Sequence, residues 1–120
     1  MADIRIKRAY RAARVSDGRR ILVDRVWPRS VARDRLQVAE WMQEIAPSAE
    51  LRRWFGHKPE RWAAFKAVYW DELDARSALV AHLYEYAAEG SVTLVYGARD
   101  EQHNNAVALK DYLDRRLVKS

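Results

Sequence analysis

The stretch from residue 91 to residue 105, SVTLVYGARDEQHNN, constrains the fold of this chain most strongly. Val92 to Tyr96 holds β-branched, aromatic or bulky apolar side chains and no charge, which is typical of a strand covered on both faces. Gly97 and Ala98 then let the backbone turn tightly. Asp100 can accept hydrogen bonds from the free N–H groups of a following helix. The stretch therefore predicts a central strand with polar side chains gathered at its carboxyl end.

A second run, Arg20 to Trp27, resembles the first, because apolar residues lead into charged ones. Pro28 cannot donate to a strand ladder, so the strand is expected to stop before it. Arg29 then lies in the loop beyond the carboxyl end of the strand. If the two strands are parallel neighbours, they end side by side, and this loop lies beside Arg99 and Asp100.

The remaining pattern predicts one more strand and several helices. Ile4 to Tyr10 alternates at first and predicts a short edge strand, parallel or antiparallel to its neighbour. Apolar residues at three- and four-residue spacing, with Ser, Pro and Gly at the boundaries, predict helices over residues 34–45, 51–55, 59–75 and 77–89. They also predict a C-terminal helix that has His103 in its first turn and a buried stripe from residue 106 to residue 117. We therefore expect an α/β fold with a small, mostly parallel sheet of three strands flanked by four to five helices, in two or three layers. Residues 1–120 are expected to form a single domain.

Composition excludes several classes of protein. Hydrophobic residues make up 49% of the 120 residues, which argues against a disordered chain. The chain has no cysteine, which excludes disulfides, thiolate metal sites and a cysteine nucleophile. No apolar run is long enough for a signal-peptide core or a membrane span, so we expect a cytoplasmic protein that does not associate with membranes. The net charge of +5 is spread along the chain and indicates anionic partners only weakly.

Two acid–arginine pairs follow the two predicted strands: Asp24 with Arg25, and Arg99 with Asp100. They fit a structural ion-pair network that seats the loops. They fit equally well a site in which an arginine binds a phosphate or carboxylate and an aspartate acts as base or orienting group. Arg29 has no acidic neighbour and is the better candidate for binding a ligand.

Histidine and asparagine residues supply the other candidates. His103 is expected in the first turn of the last helix, as a general acid or base or as a partly buried histidine bonded to a carbonyl. Asn104 and Asn105 are poor helix formers, which indicates hydrogen-bonding roles, although capping explains one of them. His57, between two aromatic-rich helices, fits a ligand-binding and a core role equally. A metal site of His57, His103 and Asp24 lacks supporting spacing, so we predict no metal and leave any cofactor open.

Three segments, DRVWPRS, EIAPSAELRRWFGHKPERW and ARDEQHNNAVAL, resemble the bacterial family called domain of unknown function 488, in its short YeaO-like branch. The resemblance covers nearly the whole chain and by itself implies no particular reaction. The chain matches the family's motifs at Asp24, Arg25, Pro28, Arg29, Trp54, Phe55, His57, Arg61, Trp62, Arg99, Asp100, His103, Asn104 and Asn105. The family pattern usually has Gly where this chain has Ser30 and often an acidic residue where it has Lys58.

Together these patterns predict binding of a small anionic metabolite, such as a nucleotide or sugar phosphate, over the strand ends. Hydrolysis or group transfer is the expected chemistry if the chain is an enzyme, which its sequence leaves undecided. The predicted catalytic residues are Asp24, Asp100 and His103, and the predicted ligand-binding residues are Arg25, Arg29, His57, Arg99, Asn104 and Asn105. Among these, Arg29 and Arg99 would hold the anion.

The alternative is a nucleic-acid-binding or regulatory module without catalysis. The predicted order, strands before helices, does not suit a winged-helix repressor, so a nucleic-acid partner is not favoured. A purely interactive role also stays open, and we expect a monomer or a homodimer.

Overall fold

The computed structural model describes residues 3–119, and the side chains of residues 3–116. The strands are β1 (Ile4–Arg8), β2 (Arg19–Leu22), β3 (Glu40–Trp41) and β4 (Val92–Tyr96). The helices are α1 (Arg33–Leu36), α2 (Ala49–Phe55), α3 (Trp62–Asp74), α4 (Ser77–Glu89) and α5 (Asn105–Lys119). Short 3₁₀ turns span Val15–Asp17, Gln43–Ile45 and Pro59–Arg61.

The strands form one parallel sheet in the order β1-β4-β2-β3. Every residue of β4 is buried, which confirms the prediction of a central strand. Ile4 lies opposite Val92 and Leu22 lies opposite Val95, so β1 and β2 both run in the direction of β4. The α/β class is therefore confirmed. The expected count of three strands is wrong by one, because β3 adds a two-residue edge strand.

The helix predicted over residues 34–45 is absent. Gln37 has a left-handed backbone conformation, with φ of 50°, and it ends α1 after a single turn. Trp41 then pairs with β2 as part of β3. Met42 and Ile45 are buried in the larger core of the protein. The apolar spacing that suggested a helix belongs instead to a short strand and a 3₁₀ turn.

The other predicted helices are present with nearly the expected bounds. Ser48 caps α2, since its Oγ accepts a hydrogen bond of 3.2 Å from the N–H of Leu51. Gly56 ends α2 with a left-handed φ of 54°. Within the part of the chain that the structure describes, no helix is both long and apolar enough to cross a membrane.

The sheet separates two cores of unequal size. Leu94 and Tyr96 of β4 face the larger core, to which α2, α3, α4 and α5 also contribute. Val95 faces the smaller core on the other side, with Leu22 of β2 and Leu36 of α1. Each fully buried aliphatic side chain stabilises the fold by about 1.5–3 kcal/mol. Coverage on both faces explains why β4 is apolar throughout.

A buried ionic cluster holds the loop before β2 against the sheet. The Asp17 carboxylate lies 2.9 Å from Lys7 Nζ and 2.8 Å from Arg20 Nη1. The hydroxyl of Thr93 donates a hydrogen bond of 2.7 Å to the carbonyl of Asp17. Burial acts to raise the pKa of Asp17, but hydrogen bonds from Lys7, the Arg14 amide and Arg20 outweigh it, so this pKa lies below its ordinary value. The charge of Asp17 is therefore compensated by two cations, while among the described residues Arg20 Nη2 is buried without a hydrogen-bond partner.

A close approach at Gly18 gives a test of this fold. Gly18 has a φ of 67°, and a Cβ placed on it would lie 2.3 Å from the carbonyl oxygen of Ser91. We expect Gly18→Ala to lower the free energy of unfolding by at least about 2 kcal/mol, because strain and a backbone clash add together. Gly90→Ala is the control, since a Cβ at Gly90 meets nothing within 4 Å. Equal losses in urea unfolding of the two variants would contradict the close approach.

Candidate functional site

The candidate site is built where β2 and β4 end side by side. The N–H of Val23 donates a hydrogen bond of 3.0 Å to the carbonyl of Val95. Immediately beyond, the N–H of Gly97 donates one of 2.8 Å to Asp24 Oδ2. The predicted meeting of the strand ends is confirmed, although β2 ends at Leu22 and does not extend to Trp27.

Asp24 ties three elements together. Its Oδ1 accepts a hydrogen bond of 3.0 Å from Asn105 Nδ2, and this nitrogen also lies 3.0 Å from the carbonyl of Val23. The indole N–H of Trp41 donates to the Asp24 carbonyl at 2.7 Å. Burial raises the pKa of the Asp24 carboxyl, and the hydrogen bonds from Gly97 and Asn105, together with the positive charge of Arg52, offset only part of this effect. Asp24 is therefore a fixed acceptor whose negative charge is poorly compensated.

The last helix begins later than its sequence suggests. Asp100 Oδ1 accepts hydrogen bonds from the backbone N–H groups of Gln102 and His103, at 2.9 and 3.0 Å. These bonds close a separate turn, so His103 precedes α5 and does not lie in its first turn. Asn104 caps the helix, because its Oδ1 accepts from the N–H of Val107 at 3.0 Å. The capping role expected for Asp100 is therefore corrected to Asn104.

Asp100 also fixes the ring of His103. Asp100 Oδ2 lies 3.0 Å from His103 Nδ1, which leaves His103 Nε2 for another partner. The edge of the imidazole meets the ring of Trp62, with centroids 5.3 Å apart. Hydrogen bonds from the Gln102 amide, and then from His103, hold the pKa of Asp100 below its ordinary value. This pair has the orientation of a carboxylate–histidine dyad.

A cavity of about 520 Å³ opens over these strand ends. Predicted site residues that line it are Asp24, Arg25, Arg29, His57, His103, Asn104 and Asn105. Arg99 is exposed and lies outside this lining, so it is not brought together with Arg29. Asp100 also lies outside the lining and reaches the cavity only through its contact with His103.

The two predicted acid–arginine pairs do not form. Among the side chains that the structure describes, Asp24 is not paired with Arg25, nor Asp100 with Arg99. Arg25 turns instead to the Ala46 carbonyl, at 3.4 Å. Its Nε is buried without a hydrogen-bond partner. The ion-pair network considered from the sequence is therefore not what holds these loops.

Arg52 is a cavity residue that the sequence reasoning missed. It lies on α2, three positions before Phe55, and both side chains line the cavity. Residues three apart on a helix share a face, so the spacing from Phe55 was the available signal. Arg53, the next residue, is exposed and is not part of the lining. The cavity thus carries the guanidinium groups of Arg25, Arg29 and Arg52 against one carboxylate.

Two loops at the cavity contain residues in the left-handed region of φ. Ser30, directly after Arg29, has a φ of 65°, and His57 has a φ of 57° directly after Gly56 at 54°. Glycine adopts this region without steric cost, whereas Ser30 and His57 adopt it with a side chain. The chain keeps non-glycine residues in both loops despite a strain of about 1 kcal/mol or more each.

The lining carries three guanidinium groups and one carboxylate. Over residues 3–116, no group of three or more His, Cys, Asp and Glu side chains is arranged to hold a metal. Guanidinium groups, by contrast, match the geometry of phosphate and carboxylate oxygens.

The poorly compensated charge of Asp24 gives a testable dependence of stability on pH. Because its pKa is raised in the folded protein, Asp24 contributes most stability below the ordinary carboxyl pKa of about 4, and this contribution falls as pH rises through the raised value. The difference in free energy of unfolding between wild type and Asp24→Asn should therefore shrink or change sign from about pH 4 to pH 8. Asp71→Asn, at an exposed carboxylate of α3, is the control in urea titrations. A difference that grows with pH would contradict the assignment.

The chain was compared with known proteins. A family model described as "Inactive DUF488-N3 subclade" matches residues 3–120. The uncharacterized protein YeaO of Escherichia coli K12 is 40% identical over 111 residues, which cover 92% of this chain and 96% of YeaO. The uncharacterized protein Rv3073c of Mycobacterium tuberculosis H37Rv is 37% identical over 113 residues, 94% of this chain and 95% of the relative. No solved structure matches the chain. These matches, together with the motifs around the cavity, establish that the chain belongs to the DUF488 family and is similar to YeaO.

Proposed function

We propose that this chain binds a small anionic metabolite, of the nucleotide or sugar-phosphate class, in the cavity over the strand ends. The observation that carries the proposal is the set of three guanidinium groups, Arg25, Arg29 and Arg52, in one cavity of about 520 Å³. A cavity of this size suits a metabolite, since ligand sites commonly occupy about 300–1,000 Å³. Its location at the carboxyl edge of a parallel sheet is where ligands of α/β proteins commonly bind.

Arg29 and Arg52 are the residues expected to meet the anionic group. Both are exposed, so they can change conformation without disturbing the cores. The backbone at Arg29 is held, because its carbonyl accepts a hydrogen bond of 2.9 Å from the Tyr10 hydroxyl. The backbone of Arg29 is therefore fixed in position. Its exposed guanidinium group can still change conformation to fit a bound ligand.

Binding without turnover is the form of this function that we favour. The matching family model is described as inactive. Among the described residues that line the cavity, none is serine or threonine, and the chain has no cysteine. Serine, threonine and cysteine are common nucleophiles of covalent catalysis, and the groups of this kind that the lining does hold are Tyr10, Asp24 and the two histidines. The family description and the missing serine, threonine and cysteine support a binding role.

One observation favours hydrolysis as a second candidate. The contact between Asp100 Oδ2 and His103 Nδ1 leaves His103 Nε2 available as a general base, and His103 lines the cavity. In that reaction Nε2 takes a proton from a water molecule, whose oxygen bonds to the phosphorus as the P–O bond of the ester breaks. The protonated imidazole then returns the proton to the departing alkoxide, which leaves as an alcohol. Asp100 would stabilise the protonated imidazole.

Arginine variants test the binding proposal. We expect Arg29→Ala and Arg52→Ala each to weaken binding of AMP or ribose 5-phosphate about tenfold or more, because each removes a charged hydrogen-bond donor. The melting temperature of the free variants should stay near that of wild type, since both side chains are exposed. Arg53→Ala is the matched control, one residue along α2 and outside the cavity. Binding equal to wild type in both cavity variants would reject the proposal.

A turnover assay separates the two candidates. With AMP and ribose 5-phosphate as substrates, release of inorganic phosphate by wild type and its loss in His103→Ala would support hydrolysis. We expect His103→Ala to retain ligand-induced stabilisation within a few fold, because it does not remove a guanidinium group. Equal background release from both proteins, with binding intact, would leave the chain as a binding protein.

A further inference from the structure

The cavity carries charges of both signs, three guanidinium groups and the Asp24 carboxylate. Arg29 and Arg52 are exposed, in the loop after β2 and on α2. The Asp24 carboxylate lies at the strand ends, bonded to Gly97 and Asn105. A phosphate group placed against this carboxylate would be repelled, because like charges a few ångströms apart interact unfavourably in a partly buried site. A ligand that fills the cavity must therefore have an anionic end and a different, uncharged end.

The groups around Asp24 define what the uncharged end must offer. Each oxygen of the Asp24 carboxylate accepts one hydrogen bond, from Gly97 N and from Asn105 Nδ2, and each retains capacity for another. Asn105 Nδ2 lies within hydrogen-bond distance of both Asp24 Oδ1 and the Val23 carbonyl. The side-chain oxygen of Asn105, Oδ1, is therefore the atom of this amide that can bind a ligand. This end of the cavity therefore consists mainly of acceptors, and a complementary ligand must present N–H or O–H donors.

The aromatic side chains of the cavity lining favour a planar ring over a sugar. Six ring-bearing residues line the cavity: Tyr10, Trp27, Phe55, His57, Phe65 and His103. Aromatic surfaces stack favourably on nucleobases, with about 1–3 kcal/mol per base where this has been measured in single-stranded nucleic-acid complexes. A sugar would instead place several hydroxyl groups against these rings and lose hydrogen bonds to water.

We propose that the ligand is a nucleoside monophosphate whose base donates N–H hydrogen bonds to Asp24 and Asn105 while its phosphate contacts Arg29 and Arg52. This inference rests on the proposed function and narrows it to one class of metabolite.

The state of Asp24 in the unliganded protein supports this assignment. Gly97 and Asn105 are neutral donors, and burial raises the pKa of Asp24 despite them. Two further N–H groups from a base would satisfy the remaining lone pairs of the carboxylate, without the cost of burying a second charge beside it. Binding of the base would thus supply the hydrogen bonds that the partly buried Asp24 carboxylate lacks in the free protein.

Matched nucleotide probes test the inference in calorimetric titrations of the full chain. The ligands are AMP, GMP, CMP and UMP, with the 5′-monophosphates of purine riboside and pyrimidinone riboside as analogues that lack N–H donors on the base. We expect at least one standard nucleotide to bind about tenfold or more tightly than its donor-free analogue. This comparison uses wild-type protein only, so it does not depend on a variant that folds.

Substitution of Asp24, the residue proposed to recognise the base, gives a second measurement. Asp24→Asn should remove most of the discrimination between a nucleotide and its donor-free analogue, whereas Asp71→Asn on α3 should preserve it. Arg29→Ala should weaken both ligands of a pair equally, because it acts on the shared phosphate.

Three outcomes would overturn the inference. They are equal affinity for nucleotides and donor-free analogues, binding of ribose 5-phosphate as tight as that of any nucleotide, or discrimination that survives Asp24→Asn. In each case binding that still depends on Arg29 and Arg52 would leave the proposed function standing. Failure of every phosphate ester to bind, including ribose 5-phosphate, would reject the proposed function together with the inference.

Discussion

The site depends on one contact, the hydrogen bond of 2.8 Å from Gly97 N to Asp24 Oδ2. The parallel register of β2 and β4 brings these residues together, because Leu22 lies opposite Val95 and both strands end just beyond. The approach leaves little space: a Cβ on Gly97 would lie 3.2 Å from the same carboxylate oxygen. This contact therefore fixes the position of the loop after β2 relative to the loop after β4. The cavity arginines in the loop after β2 are positioned by the same contact.

Two aspartates that are partly or fully buried, Asp17 and Asp24, differ in their hydrogen-bond partners and in the direction of their pKa shifts. Asp17 is bonded to Lys7 and Arg20, and its pKa is lowered despite burial. Asp24 is bonded only to neutral donors, and its pKa is raised. The charge of a carboxylate that contacts two cations is compensated. A carboxylate that is bonded only to neutral amides keeps an uncompensated charge and can accept further hydrogen bonds. The proposed site is built around the second kind.

Elements with local sequence signals were predicted correctly. The prediction was wrong where pairing with the sheet determines the local structure. A continuous apolar run identified β4, and Ser48 with Gly56 marked the ends of α2. Residues 34–45 misled because their apolar residues are divided between two cores. Trp41 packs on the smaller core, and Met42 enters the larger one. Spacing of three and four residues cannot distinguish this arrangement from one face of a helix.

The sequence correctly predicted that the loops after two parallel strands meet, and it misassigned the residue that caps the last helix. Asp100 and Asn104 both suit an N-cap, and the choice between them depends on where α5 starts. Because Asn104 caps the helix through its bond to Val107, both oxygens of Asp100 are available for the preceding turn, and one contacts His103 Nδ1. The helix start therefore sets which ring nitrogen of His103 faces away from Asp100, and residue types alone do not specify where the helix starts.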